Sequence, residues 1–298
     1  MQLGRFAVWC SLESEPLARA VEAAERIEAL GYSALWQPMS LQRDAMVTSS
    51  LQLAATRRLV LATGIATIYE RSPLAMAAAQ RTLFEQSDGR FLLGLGCSHA
   101  PFTEPLFGRA YAPPLAAVRE YLDRMDAGLA LPGAPAARSE APVLPRVLAA
   151  LGPKMLALAR DRAQGAHPYF MPPEHTRRAR EILGPGPWLC PEVKVVLETD
   201  PARARALARS AGAVNLGLRN YQRAWQGLGF AESDYGSGGS DRLIDATVAW
   251  GDLAAIRAHL ERHLAAGATQ VCIHPVHPGG IAAGPAWEVL EALGSGGG

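Results

Sequence analysis

The sequence predicts a (β/α)8 barrel with a helical insertion between its seventh and eighth strands. Short apolar runs alternate with amphipathic stretches from end to end, and eight of them read as strands. Several of these runs are continuously apolar, as strands covered on both faces should be. A chain of 298 residues also suits this architecture, which takes about 250 residues plus insertions. A doubly wound sheet is the alternative, and it would need a phosphate fingerprint of its own.

The first strand is read at 5–10 (RFAVWC), followed by a helix over 15–30 that starts after Ser14-Glu15-Pro16 and stops at Gly31. The second strand, 33–38 (SALWQP), leads to a helix over 44–56. The third, 58–66 (RLVLATGIA), precedes a helix over 73–86 with Pro73 just inside its start. The fourth, 90–97 (RFLLGLGC), is followed by a helix over 114–129, the fifth, 145–150 (PRVLAA), by a helix over 153–164. The sixth is 165–170 (GAHPYF) and the seventh 192–199 (EVKVVLET). A helix-rich region, 201–262, then replaces a single crossover, with 236–239 (GSGG) as a loop. A helix over 252–266, the eighth strand at 269–275 (TQVCIHP) and a last helix over 285–293 complete the pattern. Residues 1–293 read as one domain and 294–298 (GSGGG) as a flexible tail.

The stretch RFLLGLGCSHAPF (90–102) places Gly94-Leu95-Gly96 after an apolar strand, as a dinucleotide-binding turn would. That fingerprint needs a third glycine three places on, opening a helix. Here the position holds His99, and with Pro101 behind it no helix is expected until later. The Rossmann alternative therefore fails.

Bulk properties exclude several classes. Lys and Arg number 29 against 28 Asp and Glu, a formal net charge of +1, which gives no basic face for nucleic acid. No apolar run reaches the length of a membrane span, and the first residues lack a signal-peptide pattern. Cys10, Cys97, Cys190 and Cys272 are scattered without a C-x-x-C pair, so neither a zinc site nor a disulfide framework is expected. A cytoplasmic protein acting on a small molecule fits these properties.

In a barrel, ligands bind at the carboxyl ends of the strands. Those ends hold Trp36-Gln37-Pro38-Met39, the run Thr63 to Pro73, Gly96-Cys97-Ser98-His99, Leu151-Gly152-Pro153-Lys154-Met155, and His274 to His277. Gly152-Pro153 opens a helix whose first amides are free, a ready anion site; it is equally an ordinary strand-to-helix turn. Carboxylates at these ends look few and unpaired, which disfavours a metal-dependent hydrolase.

The runs TGIATIYERSP (63–73), SDGRFLLGLG (87–96), LGPKM (151–155), EHTRRAREILGP (174–185) and AGATQVCIHP (266–275) together resemble the bacterial luciferase-like monooxygenase superfamily. The branch most similar depends on the deazaflavin coenzyme F420. The resemblance implies a homodimeric barrel with a flavin or deazaflavin in its mouth and a non-prolyl cis peptide at Gly64–Ile65, with Ile65 against the ring. It further implies that Cys97, Ser98, Gly152, Pro153, Lys154 and Met155 contact the cofactor, and Met39 is read beside them as the wall of an apolar pocket at the cofactor. His99 stands where resembling deazaflavin dehydrogenases often carry a proton-donating glutamate, so it is the candidate catalytic residue, with a pKa near neutrality. Trp36, Tyr69, Phe102 and His277 are the candidate substrate pocket.

Sugar-phosphate dehydrogenases of the superfamily carry an Asp-His pair at the end of strand 2. Pro38-Met39 stand there instead, so that substrate is not carried over. Arg71 is a candidate anchor for the loop above the cofactor, and 203–209 (RARALAR) is read as a solvated face or an attractor for the acidic tail of F420. The expected activity is hydride transfer between F420 and an organic, partly apolar substrate. An FMN-dependent luciferase-like monooxygenase and a non-catalytic flavin-binding barrel are the alternatives.

Overall fold

The computed structural model describes residues 1–39, 41–127, 144–280 and 283–294. Its strands are β1 (Phe6–Trp9), β2 (Ala34–Gln37), β3 (Val60–Thr63), β4 (Ala66–Thr67), β5 (Phe91–Gly96), β6 (Arg146–Leu148), β7 (Gly165–Ala166), β8 (Trp188–Leu189), β9 (Glu192–Leu197), β10 (Val248–Gly251) and β11 (Val271–Pro275). All pair in parallel, in the order β10-β9-β11-β1-β2-β3-β5-β6-β7-β8, with β4 on β5. Only Cys190 and Pro191 separate β8 from β9, so these two form one stave. It pairs with β7 on one side, where a Tyr169–Glu192 bridge extends the contact, and with β11 on the other. The sheet thus returns on itself, with β3 and β4 also one stave, and the ring has the eight staves expected.

Parity along each strand builds the two sides of the wall. Ala7 and Trp9, Ala34 and Trp36, Val60 and Ala62, and Leu92 pack together inside the ring. Val8, Leu35, Leu61, Phe91 and Leu93 face outward into the larger core beneath the helices. At the base, Trp36 Nε1 donates to Gln270 Oε1 at 2.9 Å, while Gln270 Nε2 donates to Gly4 O at 3.0 Å and Ser33 Oγ at 2.9 Å. Helix starts follow the capping rules: Asp44 accepts from the Met46 and Val47 amides to open α2 (Ala45–Ala55), and Ser72 accepts from Ala75 N ahead of Pro73 to open α3 (Pro73–Gln86).

Several elements depart from expectation. Helix α4 (Ala100–Phe107) begins at once after His99; Pro101 lies in the first turn, where the missing N–H has no cost. Helix α7 (Pro173–Leu183) and strand β10 lie where the sequence pattern predicts neither a helix nor a strand of that kind. The sixth strand shrinks to β7 plus the Tyr169 bridge. Gly294 ends the last helix, α13 (Trp287–Gly294), and does not start a tail; residues 295–298 and the end of the helix expected over 114–129, residues 128 and 129, lie outside the described residues. Between β9 and β10 the chain forms α8 (Pro201–Leu216), α9 (Arg219–Gly227), α10 (Glu232–Tyr235) and α11 (Asp241–Thr247), and α12 (Leu253–Ala265) precedes β11. Residues of α8 to α11, Trp225 among them, gather with Phe170 and Met171 in an apolar cluster of their own. In the arginine-rich run, Arg205 pairs with Asp245 at 2.7 Å and Asp241 at 3.1 Å, and Arg209 also pairs with Asp241. These arginines tie α8 to α11.

Candidate functional site

The third stave breaks after Thr63, and the Gly64–Ile65 peptide there is cis, as the resemblance implied. Its neighbours hold the break in place. Trp9 Nε1 donates to Gly64 O at 2.8 Å and Met39 N to Ile65 O at 3.0 Å. The two glycines of β5 give the break its room. A Cβ on Gly94 would sit 1.9 Å from Thr63 O, and one on Gly96 would sit 2.8 Å from Ile65 Cδ1 and 2.9 Å from Ala149 Cβ. Gly-x-Gly here accommodates the neighbouring stave, not a dinucleotide.

Beyond Gly96, Tyr111 donates from its hydroxyl to Ser98 O at 3.1 Å and lies 3.5 Å from Cys97 Sγ. Burial pushes the Cys97 thiol upward, away from thiolate. His99, the residue preceding α4, is half-buried, with its ring 5.8 Å from Tyr221 and 6.1 Å from Phe102. Burial lowers its pKa below the ordinary value, so at neutral pH the imidazole is uncharged and can accept a proton or share its N–H.

The fifth stave delivers α6 (Pro153–Arg162), opened by Gly152 with no side-chain cap. The amides of Gly152 and Lys154 have no partner among the described residues, and a Cβ on Gly152 would meet nothing within 4 Å. An anion can therefore approach free N–H groups at the positive end of a ten-residue helix. Lys154 is exposed beside it and Met155 half-buried.

The structure shows a further polar group inside the ring. Glu192 and Lys194 point into the ring from β9, both with fully buried side chains, their Oε1 and Nζ 3.0 Å apart. His274 of β11 meets the same Oε1 through Nδ1 at 2.7 Å, and Phe170 N donates to Oε2 at 2.9 Å. Lys194 Nζ also lies 4.0 Å from the Tyr169 ring centroid and 4.5 Å from that of Phe170, the geometry of a cation over π faces. The Lys194 ammonium and the His274 contact outweigh burial and hold the Glu192 carboxyl down at about 2. Glu192 opens β9 and so lies below the carboxyl ends to which the expectation of few, unpaired carboxylates applies. The signal was present in EVKVV, where the charges alternate with Val193 and Val195 and so share one face of the strand.

Other expected positions are redistributed. Trp36 is not a pocket wall: it is fully buried inside the ring and stacked on His167 at 4.4 Å. His167 uses Nδ1 on Cys190 O at 2.6 Å, and its buried Nε2 has no partner. Tyr69 is buried too, its hydroxyl accepting from Ala112 N at 3.1 Å, which anchors the segment between α4 and α5 (Pro114–Ala127). His277 accepts from Gly279 N at 2.9 Å in a turn. Phe102 and Met39 keep open surface. Arg71 pairs with Asp44, and its carbonyl accepts from Tyr121 Oη at 2.9 Å. Among the described residues no group of acids, cysteines and histidines could hold a metal ion, and no helix is long and apolar enough to cross a membrane.

A parallel barrel with a broken third stave and an anion seat on the fifth defines a class, and a family model agrees. The luciferase-like monooxygenase model matches residues 1–270, and the chain belongs to that family. The Mycobacterium tuberculosis protein named "Putative coenzyme F420-dependent oxidoreductase Rv3520c" is 26% identical, covering 92% of this chain and 94% of its own. An F420-dependent secondary alcohol dehydrogenase, solved with an F420-acetone adduct, shares the fold with a TM-score of 0.77 at 15% identity, covering 98% of each chain. The oxygenating constituent of 3,6-diketocamphane monooxygenase from Pseudomonas putida, solved with FMN, superposes with a TM-score of 0.69 at 14% identity, covering 99% of this chain and 98% of its own.

Proposed function

We propose that this protein is a coenzyme F420-dependent oxidoreductase moving a hydride between the deazaflavin and an organic, partly apolar substrate in the barrel mouth. The observation that carries it is the pairing of a projecting Ile65, seated on Gly94 and Gly96, with the open, uncapped start of α6. A flat ring with an anionic stem needs both. The bound coenzyme would supply the ring carbon that accepts or releases hydride. The Gly152 and Lys154 amides would hold the stem, Ile65 would back the ring, and Met39, Cys97, Ser98, Pro153 and Met155 would line its edges. His99, neutral and partly enclosed by Phe102 and Tyr221, would exchange a proton on the coenzyme's side. Phe102 would shield the substrate from water.

An FMN-dependent monooxygenase is the second reading, favoured by the fold shared with an FMN-bound enzyme, since one anion seat suits either stem. Titrating the purified protein with F420 and with FMN, following quenching of coenzyme fluorescence, separates them. Binding of F420 is expected; binding of FMN alone would replace the proposal. The homodimer implied by the resemblance is supported by exposed Leu41, by Val47 and Leu51 on α2, and by Leu74 on the adjacent α3, apolar groups that a second copy would cover.

A further inference from the structure

The free Gly152 amide before α6 belongs to a peptide group whose other edge is held from inside the protein. That group joins Leu151 to Gly152 and is trans. Being planar as well, it points the Leu151 carbonyl and the Gly152 N–H in opposite directions. The carbonyl oxygen accepts from His175 Nε2 at 2.8 Å and has no other partner among the described residues. Whatever anchors that oxygen therefore aims the amide. The two edges also differ in surroundings: His175 is buried in the first turn of α7, whereas Gly152 is exposed. Burial, reinforced by Arg178, outweighs the Leu151 contact and lowers the His175 pKa, so the imidazole carries one proton at neutral pH. A carbonyl only accepts, which puts that proton on Nε2. Nδ1 is buried without a partner, and the ring's single hydrogen bond is the one to Leu151.

Gly152 has no means of fixing this direction itself. It lies in extended backbone, with φ −87° and ψ 156°, and brings no capping side chain; glycine also leaves the adjoining peptide planes freer to turn than any other residue does. Asp44 and Ser72, by contrast, settle the starts of α2 and α3 with their own oxygens. A side chain on Gly152 would fill space that an anion can use, so the restraint comes from a residue 24 positions along the chain. The helix supplying it is itself tied down. Thr176 Oγ1 lies 2.8 Å from His263 Nδ1 of α12, and Arg180 Nε donates to Gly267 O at 2.9 Å. Hydrogen bonds in series polarise one another, so donation to the Leu151 carbonyl also makes the Gly152 N–H a stronger donor.

We propose that His175 is a positioning residue for the coenzyme's anionic stem: acting through the Leu151 carbonyl, it keeps the Gly152 N–H aimed at the phosphate. This inference rests on the coenzyme reading above. The preference for a phosphorylated coenzyme over the same ring without phosphate then depends on an imidazole that touches neither.

The test uses the full chain and two ligand pairs, F420 with its phosphate-free deazaflavin and FMN with riboflavin, each titrated by fluorescence quenching. The ratio of affinities within a pair isolates the seat, because general loosening of the fold weakens both members alike. Wild type should prefer the phosphorylated member of the pair it binds. His175→Leu should cut that preference roughly 3- to 10-fold, the worth of one ordinary hydrogen bond, and leave affinity for the phosphate-free member unchanged. His175→Gln, whose amide N–H reaches about as far as Nε2, should restore most of the preference. If the leucine variant does not fold, His175→Asn, too short to reach the carbonyl, takes its place. With no coenzyme present, the Gly152 amide signal in nitrogen-15 spectra should move on addition of inorganic phosphate, and move less at equal concentration in His175→Leu. Full preference in His175→Leu or His175→Asn, or an Nδ1–H tautomer at His175, would overturn the inference and leave the coenzyme reading intact. Wild type with no preference in either pair would remove the anion seat and the inference together. Binding of neither pair would remove the coenzyme reading as well.

Discussion

Replacing Lys194 by methionine, close in length and uncharged, would strand a carboxylate inside the ring. The pair is 3.0 Å apart with both side chains fully buried. At an effective dielectric of about 20, the Coulomb attraction at that distance is about 5.5 kcal/mol. Relief of the ammonium's own desolvation offsets part of this, and Glu192 keeps two donors, His274 Nδ1 and Phe170 N. The net loss should be about 3–5 kcal/mol, the range for breaking a buried pair from one side. Adding Glu192→Gln should recover much of it, since no charge is then left unpaired. Urea unfolding followed by tryptophan fluorescence, on wild type, both single variants and the double, measures the coupling as a cycle. The Lys194→Met penalty should also shrink as pH falls, because protonation neutralises the stranded carboxylate. A single-variant loss below about 1 kcal/mol, the scale of exposed pairs, or independent effects in the cycle, would refute this account of the interior.

Gly94→Ala should give no soluble protein, its Cβ falling 1.9 Å from the Thr63 carbonyl oxygen, whereas Gly96→Ala, meeting side-chain atoms at 2.8 and 2.9 Å, should fold at a cost of about 1–3 kcal/mol; equal melting temperatures for both and wild type would contradict the packing described. Gly152→Asp should leave stability unchanged or raised, aspartate being a good N-cap, and weaken F420 at least about 10-fold by placing a carboxylate at the anion seat; unaltered affinity in a fluorescence titration would remove α6 from the site. Acid should destabilise the fold through histidines held neutral: burial pushes His167 down to about 4 and His259 to about 3. Their contribution is complete above the unfolded pKa of about 6.5 and is lost as pH falls toward the folded value, about 3 kcal/mol for His167 alone by pH 4. Stability that stays level from pH 7 to 4.5 in denaturant titrations would refute this. Sedimentation should give a dimer that Val47→Glu with Leu51→Glu converts to a monomer; a wild-type monomer would leave that face without its partner.

The barrel was legible because its staves are apolar on both sides, and such runs stand out in sequence. Helix α4 was hidden by Pro101, which looks like a barrier yet suits a first turn. Helix α7 was hidden by its composition: PEHTRRAREIL shows little apolar stripe, because Thr176 and His175 share its buried face with Ala179 and Leu183. In the site, the α6 opening could be named in advance from local chemistry, whereas the Gly64–Ile65 break could be named only from the family resemblance. The Glu192, Lys194 and His274 group could not, because it joins staves whose members are 82 positions apart, and a strand mixing charge with valine reads as half-exposed until the ring closes around it. Trp36 shows the converse: its place near a strand's end predicts a wall of the mouth, but its side chain turns toward Gln270 at the base.

The Trp36–Gln270 contact at the base, with Gln270 also bound to Gly4 and Ser33, acts as a stopper. With the foot plugged and the interior filled by side chains, only the rim is left for a ligand to approach, and the wall below it serves as foundation.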